Sequence, residues 1–329
     1  MPIAPSRRLR RLLLPAALIA AVPALVAVLS PPWLGAEVSQ GLPRPAVVAH
    51  RGASWYAPEE TVPAYALART LGADYLEMDL QRTADGALVA FHDDTPARTT
   101  NAAQVFPGRE AQTLDTYTLA ELQQLDAGSW FNEAHPDRAR PSFAGQKIAT
   151  LADVLVQAEL GGPGRDGQGP GVYIETKAAS RFPGIEEDLV GALTDAGWLS
   201  QRGPGAVIFQ SFEVPSLERL AALAPDVPRV LLVDPEMMAA HPYSYWIAEA
   251  TRLGAGLGPA GYYAWPWQTG PAHRAGRVVH PYTINARGQM ALLLWFGVDG
   301  MFTDRCDLLL RHLGRPAEDV PSALSTLGY

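Results

Sequence analysis

The feature that most constrains the fold is an alternation of short apolar runs and helix-like segments that begins at Pro45. Repeated strand–helix units predict a parallel sheet with helical crossovers, and their number and length predict a TIM barrel of eight strands. The first helix does not open on Gly-x-Gly-x-x-Gly, which argues against an open, dinucleotide-binding sheet. The apolar runs that predict strands are 46–50, 75–80, 88–92, 172–176, 206–210, 230–233, 255–258, 278–283 and 300–303. The helix-like segments include 63–71, 119–125, 151–160, 185–196 and 214–223.

Nine apolar runs are predicted, but the barrel has eight strands. The second and third runs explain the difference. Too few residues separate them for a parallel crossover, which needs about a dozen or more. Asp85-Gly86 lies between them and is a strong signal for a two-residue turn. We therefore predict an antiparallel hairpin inserted in the barrel. A turn at Asp85-Gly86 would place Asp79 opposite His92, on the same face of the hairpin.

Length and composition predict one large domain. The chain has 329 residues, 48% of them hydrophobic, which is enough for a substantial core. Its formal net charge of -8 does not fit a protein that binds a nucleic-acid backbone, so no nucleic-acid partner is expected. Cys306 is the single cysteine, which excludes an intramolecular disulfide and a cysteine-based zinc site. The polar loop 101–118 and the glycine-rich loop 161–171, interpreted as a flexible surface loop, do not predict a second domain.

The N-terminus predicts export. Arginines 7, 8, 10 and 11 precede an uncharged apolar stretch, 12–29, and prolines and a glycine follow. A basic segment before an apolar one is typical of a secretory signal, whereas a buried core helix explains it poorly. We interpret residues 1–36 as a signal peptide or an N-terminal membrane anchor, and 37–329 as the barrel domain. Both alternatives place that domain outside the cytoplasm, in the periplasm, secreted or anchored.

Two carboxylates stand out in the second run. Glu77 and Asp79 are two residues apart in an otherwise apolar strand and therefore share one face. Burying two like charges is costly unless a cation or a proton neutralises them. A divalent cation with oxygen ligands is the simplest solution. For this pair alone, an exposed edge strand is an equally good interpretation.

Further polar side chains stand where other apolar runs end. They are His50 and Arg51 at the end of the first run, His92 at the end of the third, and Glu175 and Lys177 at the end of the fourth. A structural histidine or a surface ion pair would explain any one of them alone. In a TIM barrel, however, the C-terminal ends of the strands build the active site. Together they would supply three carboxylates, two histidines, an arginine and a lysine, a set suited to metal-assisted attack on a phosphate ester.

These motifs, in this order, resemble the glycerophosphodiester phosphodiesterase family, from about residue 47 to residue 309. Each motif is short, but the ordered set is specific. The first motifs are His50-Arg51-Gly52, Ala57-Pro58-Glu59, Glu77-Met78-Asp79, Asp85-Gly86 and Phe91-His92-Asp93. The later motifs are Glu175-Thr176-Lys177, Gln210-Ser211-Phe212, Tyr282-Thr283-Ile284-Asn285, Gly297-Val298-Asp299-Gly300 and Thr303-Asp304.

The resemblance implies a TIM barrel with an inserted hairpin, of the PI-phospholipase-C-like type. It implies metal-dependent cleavage of glycerophosphodiesters to glycerol 3-phosphate and an alcohol. One divalent metal, Ca²⁺ or Mg²⁺, would be bound by Glu77, Asp79 and Glu175. His50 and His92 would be the general acid and base.

The same resemblance implies roles in substrate binding. Arg51 and Lys177 would stabilise charge on the phosphoryl oxygens. Glu59, Phe212 and Tyr282 are candidates for lining the substrate pocket. The expected partner is a small glycerophosphodiester such as glycerophosphocholine or glycerophosphoethanolamine, or a lysolipid, with membrane association through the N-terminal segment.

Two residues depart from the family pattern. Glu60 stands where the family usually has asparagine, which adds a negative charge near the site. Tyr282 stands where tryptophan is commoner, which keeps an aromatic wall but changes the fit of the pocket. Two alternative functions stay open: a lysophospholipase D-type enzyme, and a catalytically silent phosphoester-binding protein. The presence of both histidines and all three carboxylates argues against the silent protein.

Overall fold

The computed structural model describes residues 42–329, where short buried strands alternate with helices. The predicted signal or anchor, 1–36, lies outside the described residues. The strands are β1 (Ala46–Ala49), β2 (Tyr75–Arg82), β3 (Leu88–Ala90), β4 (Gly171–Thr176), β5 (Val207–Ser211), β6 (Arg229–Val233), β7 (Gly256–Pro259) and β8 (Gly300–Thr303).

The parallel strands form one sheet in the order β7-β6-β5-β4-β2-β1-β8. Segment 278–284 fills the remaining place between β7 and β8, because its backbone bonds to both of them. His280 N–H donates to Leu257 O at 2.9 Å, and Ile284 N–H donates to Phe302 O at 2.8 Å. The sheet therefore closes on itself, and the predicted eight-stranded barrel is confirmed.

Segment 278–284 is not the regular strand that the sequence predicted over 278–283. It forms only isolated parallel bridges on its β7 side, at Val279 and at Tyr282. Pro281 lies between the two bridges, and proline has no N–H to donate to a ladder. The segment nevertheless brings Tyr282 to the C-terminal rim of the barrel.

The inserted hairpin is present, but its predicted register is wrong by one residue. Three residues, rather than two, lie between Thr83 and Ala87, whose carbonyl accepts from Thr83 N–H at 2.9 Å. The last of the three is a glycine with a φ of +87°, the left-handed conformation that such a loop requires. As a result, Asp79 lies opposite Phe91, whose N–H donates to Asp79 O at 2.8 Å, and not opposite His92.

Helices surround the barrel and cover its outer face. They are α1 (Val62–Leu71), α2 (Ala102–Val105), α3 (Leu119–Leu122), α4 (Ser129–Ala134), α5 (Leu151–Glu159), α6 (Gly164–Gly167), α7 (Ile185–Asp195), α8 (Val214–Leu223), α9 (Pro235–Ala240), α10 (Tyr243–Arg252), α11 (Pro266–Arg274), α12 (Arg287–Trp295), α13 (Cys306–His312) and α14 (Val320–Thr326). Reciprocal capping boxes start α3, through Thr118 and Glu121, and α5, through Thr150 and Asp153. No helix within residues 42–329 has both the length and the hydropathy needed to cross a membrane.

The alternation of side chains along each strand creates two cores. Outward-facing residues such as Met78 pack against the helices, and inward-facing residues such as Tyr75 and Tyr173 fill the lower barrel. Residues two apart share a face, so Glu77 and Asp79 follow Tyr75 on the inner face of β2. The barrel is therefore apolar at its base and acidic toward its C-terminal rim.

The two loops contain more structure than their composition predicted. Loop 101–118 includes α2 and a 3₁₀ turn, Leu114–Thr116, and its buried residues form a small core with Phe91. This core anchors the chain that leaves β3 and thereby supports the position of His92. Loop 161–171 includes the short helix α6.

Candidate active site

Three carboxylates converge at the C-terminal rim. Asp79 on β2 is the register partner of Glu175 on β4, and Glu77 lies two residues before Asp79 on the same face. All three residues are buried, and an oxygen of each lies within 4.8 Å of an oxygen of the other two. The predicted acidic cluster is therefore present as a compact set of oxygen atoms.

Two cationic side chains contact Asp79, each at a different carboxylate oxygen. Arg51 Nε lies 3.0 Å from Asp79 Oδ2, and Lys177 Nζ lies 3.4 Å from Asp79 Oδ1 and 3.3 Å from Glu175 Oε1. Arg51 has a left-handed backbone with a φ of +55°, and its N–H donates to Glu77 Oε2 at 2.8 Å. Backbone and side chain of Arg51 thus contact two different carboxylates.

The carboxylates differ in their affinity for protons. Burial, reinforced by the charge of Asp79, raises the pKa of Glu77 well above its usual range and that of Glu175 to about 8. Burial acts in the same direction on Asp79, but Lys177 and Arg51 outweigh it and hold the pKa of Asp79 below its usual range. Arg51 and Lys177 supply two positive charges beside three carboxylates, so without a further cation one negative charge is not balanced.

The donor set fits a hard divalent cation. It consists of carboxylate oxygens, which Ca²⁺ and Mg²⁺ prefer. Asp79 Oδ2 is buried and accepts no hydrogen bond, since its close approach to Arg51 lacks the required geometry. The adjacent Gln210 donates to Glu77 Oε1 at 2.9 Å, while its own Oε1 is buried without a hydrogen-bond partner. Oxygen atoms that lack donors are what a cation site requires.

Each of the two predicted histidines is paired with an aspartate. His50 Nδ1 lies 2.7 Å from Asp304 Oδ1, and His92 Nδ1 lies 2.7 Å from Asp93 Oδ1. A carboxylate at Nδ1 fixes the ring and makes Nε2 the nitrogen available to a substrate. Burial and the neighbouring Arg51 lower the pKa of His50, against the opposing effect of Asp304.

These aspartates are functional candidates to which sequence reasoning assigned no role. Asp93 directly follows His92, and Asp304 directly follows the end of β8, so a polar residue at a strand end was the available signal. Asp304 is held in turn by Asn285, whose side chain donates to its Oδ2. Residues 50 and 304 are far apart in sequence, and only barrel closure brings them together.

The central cavity has a volume of about 200 Å³. Its aromatic walls are Phe212 and Tyr282, whose rings lie edge to face with centroids 5.9 Å apart. Both residues are candidates for the substrate pocket, and the structure places both in the wall of this cavity. The polar groups that line it are His50, Arg51, Glu77, Asp79, His92, Glu175, Lys177, Gln210 and Thr283.

Glu59 does not line this central cavity. Its Oε1 accepts from Arg51 Nη1 at 3.0 Å and from Arg98 Nη2 at 2.7 Å, and it lies in a neighbouring cavity. Burial would raise the pKa of Glu59, but Arg98 and Arg51 outweigh it and lower the pKa. Glu59 is thus placed to hold Arg51.

Glu60 is buried beneath the site. Its Oε1 accepts from Asp79 N–H at 2.9 Å, and its Oε2 accepts from Tyr65 O–H. Burial, together with Asp79 and Glu77, raises the pKa of Glu60 well above its usual range, which favours the neutral acid. Glu60 therefore supports β2 from behind instead of facing the cavity.

The fold and the site together define a barrel whose central cavity brings together an acidic cluster that could bind a metal ion, two cationic side chains and two histidines. The sequence model of the glycerophosphoryl diester phosphodiesterase family matches residues 50–308, and the chain belongs to this family.

Individual relatives agree with this assignment. The chain is 40% identical over 263 residues to the glycerophosphodiester phosphodiesterase of Bacillus subtilis, covering 79% of this chain and 84% of that protein. It is 34% identical over 270 residues to the glycerophosphodiester phosphodiesterase of Caldanaerobacter subterraneus, covering 80% and 96%. A solved Oleispira antarctica phosphodiesterase in complex with its product, sn-glycerol-3-phosphate, superposes with a TM-score of 0.67 at 28% identity. The match covers 82% of this chain and 97% of that one.

Proposed function

We propose that the protein hydrolyses glycerophosphodiesters to glycerol 3-phosphate and an alcohol, with one divalent cation, Ca²⁺ or Mg²⁺. The observation that carries this proposal is the convergence of three carboxylates, two cationic side chains and two histidine–aspartate pairs at the central cavity. The names of the relatives and the glycerol phosphate in the Oleispira structure support the substrate class.

Glu77, Asp79 and Glu175 would hold the cation. When bound, it supplies Lewis acidity toward a phosphoryl oxygen and compensates charge that the buried carboxylates cannot share. Arg51 and Lys177 lie on either side of Asp79, so both would face the phosphoryl group beside that carboxylate. They would bind the substrate anion and oppose the negative charge that develops during reaction.

His50 and His92 would move the protons. One accepts the proton of the attacking oxygen as that oxygen bonds to phosphorus. The other donates a proton to the alkoxide as the opposite P–O bond breaks. Asp304 and Asp93 would keep each Nε2 directed at the substrate, because each carboxylate binds the Nδ1 side of its ring.

A substrate panel tests the proposal. The purified full chain is assayed against glycerophosphodiesters and lysophospholipids, after chelation and after return of Ca²⁺, Mg²⁺ or another divalent metal. We expect hydrolysis of the diesters, loss of activity with chelator and recovery with Ca²⁺ or Mg²⁺. Faster release of the head group from lysophospholipids would favour the lysophospholipase D-type alternative. Full activity in metal-stripped protein would contradict the metal site.

We also propose that the catalytic domain functions outside the cytoplasm. The support is in the sequence, where the arginine-rich start precedes the apolar stretch 12–29. Either a cleaved signal or a retained anchor gives this location. A retained anchor would also hold the domain at a membrane.

A further inference from the structure

A second cavity adjoins the central one and has a volume of about 350 Å³. The two cavities share His50 and Arg51, to which the proposed function assigns proton transfer and phosphate binding. A phosphodiester has two ester arms that diverge from one phosphorus atom. Two cavities that meet at the phosphate-binding groups can therefore receive one arm each. We refer to the second one as the side cavity.

The central cavity suits the glycerol arm, which all glycerophosphodiesters share. The side cavity suits the alcohol arm, which differs from one substrate to another. The central cavity is smaller and is walled by Phe212 and Tyr282 at the mouth of the barrel. The side cavity is larger and is bounded by loop residues and by the insertion that follows β3, including Trp55 and Trp130. Loops vary more readily than barrel strands, so alcohol selectivity is more easily built there.

The indole rings of the side cavity are already covered by guanidinium groups. The guanidinium carbon of Arg138 lies 4.4 Å from the ring centroid of Trp55, and that of Arg305 lies 4.8 Å from the same ring. The guanidinium carbon of Arg98 lies 5.9 Å from the ring of Trp130. A quaternary ammonium binds proteins through such aromatic faces. In this cavity, arginines of the protein occupy that position.

The carboxylates of the side cavity are also engaged. Glu59 bonds to Arg51 and Arg98, and Asp304 bonds to His50. An incoming ammonium would have to displace one of these partners. The charged side chains that line the cavity are three arginines, Arg51, Arg98 and Arg138, and two carboxylates, Glu59 and Asp304. The lining itself therefore has one more cationic than anionic group.

We infer that the side cavity binds the leaving alcohol and selects an uncharged, hydroxyl-rich alcohol over a cationic one such as choline. Guanidinium and imidazole groups offer hydrogen bonds to hydroxyls, whereas a fixed positive charge is repelled. This inference rests on the proposed function, since it names the alcohol that the same site would release.

The test compares kcat/KM for glycerophosphoglycerol and glycerophosphoinositol with kcat/KM for glycerophosphocholine, using the full chain with its metal. We expect the wild type to favour the two polyol substrates by about tenfold, the effect of one moderately screened charge repulsion. The preference should weaken at high salt, because exposed charges are screened. A preference for glycerophosphocholine, or one that salt does not change, would overturn the inference.

The substitution Arg138→Gln sharpens this test. It removes one charge and uncovers part of Trp55, so it should raise kcat/KM for glycerophosphocholine selectively, by about threefold to tenfold. Arg138→Lys keeps the charge and should keep the wild-type preference. Arg252→Gln removes a charge from the distant surface of α10, where Arg252 pairs with Glu218, and serves as the control.

The outcomes separate the two proposals. If Arg138→Gln changes all substrates by the same factor, the side cavity does not hold the alcohol and the inference fails. If no diester is hydrolysed at all, the proposed function fails, and the inference fails with it. Should Arg138→Gln fail to fold, the salt dependence of the wild-type preference still decides the inference.

Discussion

Replacing Glu77 with glutamine should weaken metal binding strongly without damaging the fold. Glu77 accepts from Arg51 N–H through Oε2 and from Gln210 Nε2 through Oε1. In the Glu77→Gln variant, the amide oxygen can still accept from Arg51. The amide nitrogen can donate to Gln210 after that side chain flips, because Gln210 Oε1 has no hydrogen-bond partner at present. The substitution therefore conserves the hydrogen bonds while it removes one ligand charge.

The expected magnitude follows from linkage. A cation at a concentration of 100 times its dissociation constant stabilises the folded state by about 2.7 kcal/mol. At roughly 2 °C per kcal/mol for a chain of this size, the melting temperature should rise by about 5 °C. Loss of a direct ligand should weaken binding by at least about 100-fold, the upper end of the range for supporting residues. The stabilisation at the same metal concentration then falls to about 0.4 kcal/mol, or about 1 °C.

Thermal melting in chelator and in Ca²⁺ or Mg²⁺ measures both quantities. In chelator, Glu77→Gln should melt at or above the wild-type temperature, because burial and repulsion by Asp79 oppose the charge of Glu77. Glu218→Gln, which removes a carboxylate from the surface of α8, should retain the full metal response. An unchanged metal response in Glu77→Gln would refute the assigned ligand set.

Three further predictions concern pH and location. Asp304→Asn removes the charge that raises the pKa of His50 and weakens the hydrogen bond that also raises it. The limb of the pH–rate profile due to His50 should therefore move to lower pH. Burial lowers the pKa of His280 from 6.5 to about 4. Between these pH values, His280 is protonated in the unfolded chain but not in the folded one. Stability should therefore decline across that window by up to roughly 3 kcal/mol, and His280→Gln should flatten this decline in denaturant titrations at several pH values. A reporter fused after Tyr329 should be active on the outer side of the membrane, and activity only in the cytoplasm would contradict export.

The barrel could be predicted because its strand pattern is local. The order of apolar runs and helix-like segments gave the architecture, and the two-residue period placed Glu77 and Asp79 on one face. The hairpin could be predicted from the short connection, but its register could not. Asp85-Gly86 fits a two-residue turn and also a three-residue loop that ends in a left-handed glycine.

The candidate site residues follow from the strand ends, although the predicted pairing of His92 with Asp79 was wrong. His92 reaches the cavity even though it is not the cross-strand partner of Asp79. Gln81 holds the chain beyond β3 instead, because its side-chain amide donates to Phe91 O at 2.7 Å and to Asp93 O at 2.8 Å. The bond between His50 and Asp304 depends on closure of the barrel, and no local pattern encodes it.

The most direct test of the central claim is the rate of His50→Ala and of His92→Ala on two kinds of leaving group. On a natural glycerophosphodiester, each variant should lower kcat by about 10² to 10⁴-fold, the usual contribution of one positioned acid or base. KM should change much less, because Arg51 and Lys177 still bind the phosphate. A nitrophenol leaves without a proton, so a nitrophenyl ester should rescue only the variant that lacks the general acid. If either single variant keeps near-normal kcat on the natural substrate, that histidine is structural and the two-histidine mechanism is wrong.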